Sequence, residues 1–560
     1  MQSFHCTAGF FKYNDIMIRS ISIFMVLFFI HLATLAQHYQ FEWQNCFGGT
    51  GFDEAYSIAQ TEDGYIVAGL HRSTDGDVTE YYGAPDGWVI RLDQDGQMIW
   101  QKSYGGSNGE YIKSVFSMAD GNFLLAGQTA SHNGTIDYNP YPGTWSYWFM
   151  KIDGQGNIIW QTIAGGPNTN WLWGAYPTAD GGIIGVGEIV GGGGDISNYF
   201  GSIDAWVVKL DANGQVEWDY TVGTDRIQYG NSVIQTSDGG YLVAANGLIG
   251  LEGSLDCEST HWAAGILVKL DANGQKEWSR CYGGTGDETI NDVAEVDDGY
   301  VFTGIAASSD GDLTGCGLHN PNSDRPTDVW VAKIDFEGNM LWQHCYGGSG
   351  RDQGNTIKTL PEGGLVLTGT TPSHDGDVSL NYGLQGNPNI WLLRLDDGGQ
   401  LLHEGCYGAA LRTNSLGRNN FVVLNNNRLV AVGTTRSKAH HPPEYQGNVD
   451  CGNYNTGMNS SDWWVFEIYD TTVFVQEHLN PALFKLFPNP ATTETWLQLP
   501  ENIVLEKARV ELYSSSGRLL YKAQPTSHFH KIETANLPKG LYLVRLWNGS
   551  SWMVEKLVVR

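Results

Sequence analysis

A chain of 560 residues is too long for one ordinary domain, and at 41% hydrophobic it has apolar side chains enough for more than one core. Only 17% of it is charged, yet 61 acidic residues stand against 32 basic ones, a formal net charge of -29. Such a surface repels phosphate backbones and anionic lipid, which excludes nucleic acid as a partner and suits an extracellular protein or one that meets cations.

The chain opens with a targeting segment. From Met17, "MIRSISIFMVLFFIHLATLA" places a basic residue before an apolar run and ends in small residues at Ala33 and Ala36, the order of a secretory signal peptide. We read residues 1–36 as that signal, with Met17 as an alternative start. The run from Ile21 to Ala36 is shorter than the roughly 20 residues a spanning helix needs, and it contains His31, so the mature chain has no transmembrane segment on this reading. Export makes disulfides permissible.

Residues 37–470 repeat a unit of about 60 residues. The most legible part is a turn, written "KLDANGQVEW" at 209–218 and "KLDANGQKEW" at 269–278. Asp leads it and Gly closes it in Asp93/Gly96, Asp153/Gly156, Asp211/Gly214, Asp271/Gly274, Asp335/Gly338 and Asp396/Gly399. The carboxylate can bond backbone amides across the turn and Gly accepts a left-handed conformation, which predicts a hairpin. Four units or more of such chemistry need strands on each side, and the flanks supply them. A strand with Trp88, Trp148, Trp206, Trp330, Trp391 or Trp464 in register precedes the turn, Ile266 being the exception. A strand starting near Trp100, Trp160, Trp218, Trp278 or Trp342 follows it, with His403 in the same slot. Two further strands joined by a D-G or D-G-G turn complete each unit.

The first three strand types occur seven times, but the fourth follows only six of them. The missing copy is "FEWQNCFGG" at 41–49, ahead of the first unit. A displaced strand of this kind predicts that both ends of the array share one sheet. The expected fold is all-β: a seven-bladed β-propeller closed by an N-terminal strand. An open solenoid would leave a raw edge at each end.

Cysteine positions follow the same register. Cys46, Cys281, Cys345 and Cys406 fall at the end of the fourth strand, while Cys257, Cys316 and Cys451 fall in the long connections between the second and third strands. The two places share one face of a unit, which predicts Cys257 with Cys281, Cys316 with Cys345 and Cys46 with Cys451, leaving Cys406 alone.

Those long connections are also where a rigid scaffold carries function. Three of them open on an acidic triplet, Asp75/Asp77, Asp310/Asp312 and Asp375/Asp377, whose hard oxygens are candidate calcium ligands, although D-G-D is also ordinary turn composition. Tyr81, Tyr82, Tyr138, Tyr141, Trp145, His261 and Trp262 are candidate ligand-binding residues, suited to stacking on a sugar or to protein contact. The D-x-x-G-x-x-x-W hairpin resembles the tryptophan-docking repeat of quinoprotein dehydrogenases and, loosely, the Asp-box of sialidases, motifs that are structural even in those enzymes. The chain has no G-x-S-x-G, H-E-x-x-H or phosphate loop. A binding protein for a glycan or a protein is therefore expected, with a carbohydrate-active hydrolase as the alternative.

After a linker at 471–483 the pattern changes to short alternating strands over 484–560. Pro488, Asn489 and Pro490, "SSSGRLL" around Gly517, "LPKGLYLVRL" with Gly540 and Tyr542, and a terminal "EKLVVR" resemble the C-terminal sorting domain of the type IX secretion system. The resemblance implies a small Ig-like β-sandwich, export by the type IX machinery, and a place outside a Gram-negative cell of the Bacteroidetes kind. The repeats likewise resemble an uncharacterised class of propeller passengers, a likeness that brings no activity with it.

Overall fold

The Asp-to-Gly turn folds as its side chains dictate. Asp93 accepts on one carboxylate oxygen from the backbone N–H groups of Asp95 at 3.0 Å and Gln97 at 2.8 Å, and Asp396 does the same with Gly398 at 2.9 Å and Gln400 at 2.8 Å. The glycines that close the six turns lie at φ between 75° and 86°, a region that costs any residue with a Cβ.

The computed structural model describes residues 39–560 except 258–262, 320–326, 362, 385, 415–416, 418, 425–427, 437–446, 451–459, 471–483, 501–502, 515–518 and 548–551. The targeting segment, the linker, Cys451, His261 and Trp262 lie outside the described residues. Among the described residues the fold is all-β, with two short 3-10 turns at Gly311–Leu313 and Leu505–Lys507, and no helix is long and apolar enough to cross a membrane.

In the first repeat the strands Glu54–Thr61, Gly64–His71, Asp86–Asp93 and Met98–Tyr104 pair antiparallel in chain order. Five more four-stranded sheets repeat that order over residues 110–164, 170–222, 228–282, 289–346 and 353–407. A further sheet places Tyr39–Phe47 beside Asp462–Asp470, followed by Arg428–Thr435 and Thr413–Asn414. The strand from the front of the chain thus takes the fourth place in the last sheet.

Apolar cores lie between consecutive sheets. Ile66 and Val89 of the first sheet pack with Phe123 and Trp148 of the second, and Ile58 and Trp88 of the first pack with Val432 and Trp463 of the last. The series therefore returns to its starting sheet. Each central strand is buried along nearly its whole length, as in Gly64–His71 and Asp204–Leu210, which is why it reads as a continuous apolar run.

The repeated turn has a second duty. The rings of Trp43, Trp160 and Trp218 lie against Gly96, Gly214 and Gly274 of the following repeat, so close that a Cβ there would stand 2.5 to 2.6 Å from ring carbons. Trp100 and Trp160 then donate their indole N–H to the carbonyls of Gly154 and Ala212 in the next turn, at 3.2 and 3.1 Å. Each turn is a socket for the preceding sheet, so its spelling is held by two neighbours at once.

Disulfides join Cys257 to Cys281 and Cys316 to Cys345. Cys46 is disulfide-bonded, and its expected partner Cys451 lies outside the described residues. Cys406 is buried with a free thiol.

The C-terminal unit has its own core. Lys485–Phe487, Glu494–Gln498 and Phe529–Glu533 form one sheet; Leu519–Ala523, Arg509–Ser514, Gly540–Trp547 and Trp552–Val559 form another. Leu497, Val510, Ile532, Val544 and Leu557 are buried together in this unit.

Candidate functional site

The acidic triplets act first as clasps. After each fourth strand the chain turns through one or two glycines, and the N–H of the first Gly needs an acceptor. Gly48, Gly283 and Gly347 donate to Asp77, Asp312 and Asp377 at 3.1, 2.9 and 3.1 Å. Asp75, Asp310 and Asp375 accept from the N–H of Thr50, Thr285 and Ser349 at 2.8, 2.8 and 2.6 Å. Asp195 does the same for Gly165 at 3.0 Å, and the remaining three repeats use neutral groups: Thr135, Ser254 and Asn448 accept from Gly105, Gly223 and Gly408 at 2.9, 3.0 and 2.8 Å. An acceptor is required at this place and a charge is not. The six carboxylates sit as three separate pairs in three sheets, and among the described residues no group of three His, Cys, Asp or Glu side chains is arranged to hold a metal ion.

The clasps also show that the long connections and the starts of the innermost strands share one face. On it, residues 130–145 fold over the outer strand Ile158–Ala164 and leave a groove of about 790 Å³. Asp137, Tyr138, Tyr141, Ile159, Trp160 and Asp195 line it. Tyr138 is 74% exposed and Ile159 52%, so the groove offers apolar and aromatic surface beside two carboxylates. Thr144 and Asn139 brace the loop: Thr144 Oγ1 donates to the Tyr141 carbonyl, and Tyr141 N–H to Asn139 Oδ1, both at 2.8 Å.

The other expected loop aromatics are dispersed. Trp145 stacks on Tyr111 with ring centroids 5.0 Å apart and planes 17° from parallel, packing inward rather than standing free. Tyr81 and Tyr82 are exposed on the loop of the first sheet, where the Tyr82 N–H donates to Asp86 at 2.7 Å.

A second aromatic patch has no counterpart among those expectations. The fourth residue from the recurrent polar start of the first strand is Tyr56, Lys113, Trp173, Asn231, Asn291 and Asn355 in the six sheets from residue 53 to residue 407. Lys113 Nζ lies 3.6 Å over the Tyr56 ring, 5.1 Å from Trp173 and 5.4 Å from Tyr111, a cation held by ring quadrupoles. Trp171 and Trp173 are each more than a third exposed. Glu188, pushed up to about 7 by burial, accepts a hydrogen bond from Trp173. Aligning the innermost strands by their first polar residue is the signal that finds this patch; apolar periodicity does not, because those residues read as ordinary strand.

Acid pairs are present but sealed. Asp53, Asp86, Glu110, Asp328, Asp352 and Asp462 are at most 1% exposed, so none of them faces a substrate.

Residues 485–560 match the family described as a secretion system C-terminal sorting domain. No curated protein is similar to the chain. Among solved structures, the WD40 domain of Neurospora crassa Pan2 is 9% identical, with a TM-score of 0.39, covering 77% of this chain and 95% of that one. Sqt1 from Chaetomium thermophilum is 11% identical with a TM-score of 0.36, covering 77% and 99%. A protein of unknown function from Bacteroides caccae is 12% identical with a TM-score of 0.32, covering 65% and 93%.

Proposed function

We propose that this chain, which ends in a type IX sorting domain and is thereby secreted or displayed at the surface of a Bacteroidetes cell, is a binding protein whose residues 37–470 form a seven-bladed β-propeller. In this reading 1–36 is removed as a signal, 471–483 is a linker, and 484–560 is an Ig-like domain read by the export machinery. The ligand is a glycan, bound on the face that carries the long connections. One observation carries the proposal: the groove of Tyr138, Tyr141 and Trp160 and the exposed pair Trp171 and Trp173 belong to adjacent sheets. Flat rings beside Asp137 and Asp195 suit a sugar, which offers C–H faces for stacking and hydroxyls for carboxylates.

A hydrolase on the same scaffold needs two carboxyl groups set a fixed distance apart at the substrate; the opposed acid pairs between sheets are buried, and in this reading the groove's Asp137 and Asp195 serve as acceptors for sugar hydroxyls. The test is a glycan array probed with the wild type, Tyr138→Ala and Trp173→Ala. Saturable binding weakened by either variant supports the reading. Binding untouched by both variants, or a dark array beside a protein ligand, overturns it.

A further inference from the structure

Where the third strand of one sheet meets the first strand of the next, buried carboxyl groups face each other. A Cβ built on Gly48 would lie 2.7 Å from Asp53 Oδ2 and 2.8 Å from Asp462 Oδ1, so the two acids oppose each other across the joint between the last sheet and the first. Gly105 sits in the same way between Asp86 Oδ1 and Glu110 Oε2, at the joint between the first sheet and the second.

The members of each pair differ. Asp53 accepts four hydrogen bonds, from the N–H groups of Gly49, Arg72 and Ser73 and from Ser73 Oγ at 2.6 Å. Glu110 accepts from Gly106 N–H and Thr129 Oγ1, both at 2.8 Å. Both take these bonds as acceptors, although burial pushes each above its ordinary carboxylate value. Opposite them, among the described residues, neither carboxyl oxygen of Asp462 has a hydrogen-bond partner, and Asp86 Oδ1 has none. A buried anion without a donor beside a second buried carboxylate is costly. At the equivalent joint of Asp328 and Asp352 the chain supplies a histidine: His319 Nδ1 is 2.9 Å from Asp328 Oδ2, with Nε2 3.7 Å from Asp377. No such group stands at the other two joints among the described residues. The titratable groups facing Asp462 are Asp53 and Asp77, and those facing Asp86 are Glu110 and Tyr82.

We propose that a proton closes each of these joints, Asp462 donating an O–H toward Asp53 and Asp86 toward Glu110, so that the first sheet is gripped on both sides in acid and loosened in alkali. Burial, first, and the neighbouring anions push Asp462 and Asp86 each up to about 7. A folded acid whose proton is held more tightly than in the unfolded chain stabilises below the unfolded value near 4, and that stability is lost as pH rises to about 7. The strand Tyr39–Phe47 belongs to the sheet behind one of these joints, so ring closure itself becomes pH-sensitive.

The test uses the full chain, Asp462→Asn, Asp86→Asn and the double variant, since an amide keeps a donor without a titration. The unfolding midpoint of the wild type, relative to the double variant, is expected to fall by several degrees from pH 5 to pH 8, each single variant removing part of the fall. An unchanged pH profile in the double variant overturns the proposal. A rise in the wild-type midpoint with calcium chloride at pH 8, absent from the double variant, also overturns it, because a metal ion then holds the joints. Should Asp462→Asn fail to fold, infrared spectra decide: a carboxylic acid C=O band present at pH 5, lost by pH 8 and diminished in Asp86→Asn supports the shared proton, and its absence overturns it.

Discussion

The indole N–H of Trp464 donates to Gln44 Oε1 at 3.1 Å, across 420 positions of chain. Trp88 donates to Gln101, Trp148 to Gln161 and Trp330 to Gln343, at 2.7, 3.1 and 3.0 Å, each only 13 positions on. The N-terminal strand thus makes in the last sheet the bond that the fourth strand makes in these three. Trp43 adds a bond to Glu467 Oε2 at 2.7 Å.

Losing that acceptor strands an indole donor in either sheet, and at Gln44 it strands the Asp450 N–H as well. Gln44→Leu and Gln101→Leu are each expected to destabilise by about 1–3 kcal/mol, the cost of an indole donor left without an acceptor. Urea unfolding monitored by tryptophan fluorescence checks this, and a negligible effect of Gln44→Leu alone would mean that the N-terminal strand is not held in solution.

The latch disulfide is expected to outweigh the local ones. Cys257–Cys281 and Cys316–Cys345 close loops of 24 and 29 positions, which chain-entropy models place at about 3 kcal/mol, whereas a bond from Cys46 to Cys451 spans almost the whole array and is worth roughly 5. Cys46→Ser is predicted to lower the midpoint more than Cys281→Ser or Cys345→Ser under non-reducing conditions. Equal shifts for all three count against the pairing.

Two glycines of equal φ separate strain from docking. Gly121 has φ 78° with nothing near its missing Cβ, while Gly274 has φ 77° with the Trp218 ring 2.5 Å away. Gly121→Ala is expected to cost about 1–2 kcal/mol for left-handed backbone alone. Gly274→Ala must also displace an indole and should cost visibly more, read as a larger drop in thermal midpoint.

The clasp needs an acceptor, not a charge. Asp77→Asn is expected to leave the midpoint nearly unchanged, as Asn448 serves the same role in the last sheet, whereas Asp77→Ala should lose about 1–3 kcal/mol by stranding the Gly48 N–H. Addition of EGTA to the wild type is predicted to change neither.

His71 gives an acid-side test of opposite sign to the buried acids. It is fully buried, its ring nitrogens facing the Ser73 carbonyl at 3.0 Å and Ser103 Oγ at 2.9 Å, and burial lowers it to about 4. The unfolded chain takes up that proton near pH 6.5, so stability is lost as pH falls from 6.5 toward 4, by at most about 3 kcal/mol. His71→Gln should show a flatter acid limb than the wild type in pH-dependent unfolding.

The amino-acid order by itself determined the repeat and the turn, the four-strand unit, the borrowed strand at 41–49 and the sorting domain at the end. Turn chemistry is local: Asp93 and Gly96 act on amides within four residues, so their spelling is enough. Missing a fourth strand after Asp470 and finding one at the front is likewise a matter of counting along the chain. Only the tertiary structure decided what each turn is pressed against, that the D-G-D carboxylates answer glycine amides, that Trp145 turns inward onto Tyr111, and that Lys113 sits among Tyr56, Tyr111 and Trp173. Most of those relations join residues about 25 to 60 positions apart, and in a strand such residues carry the same alternating, aromatic-rich pattern whether they face a core, a neighbour or open space. Packing between sheets chooses among these, and nothing in the spacing along one strand records that choice.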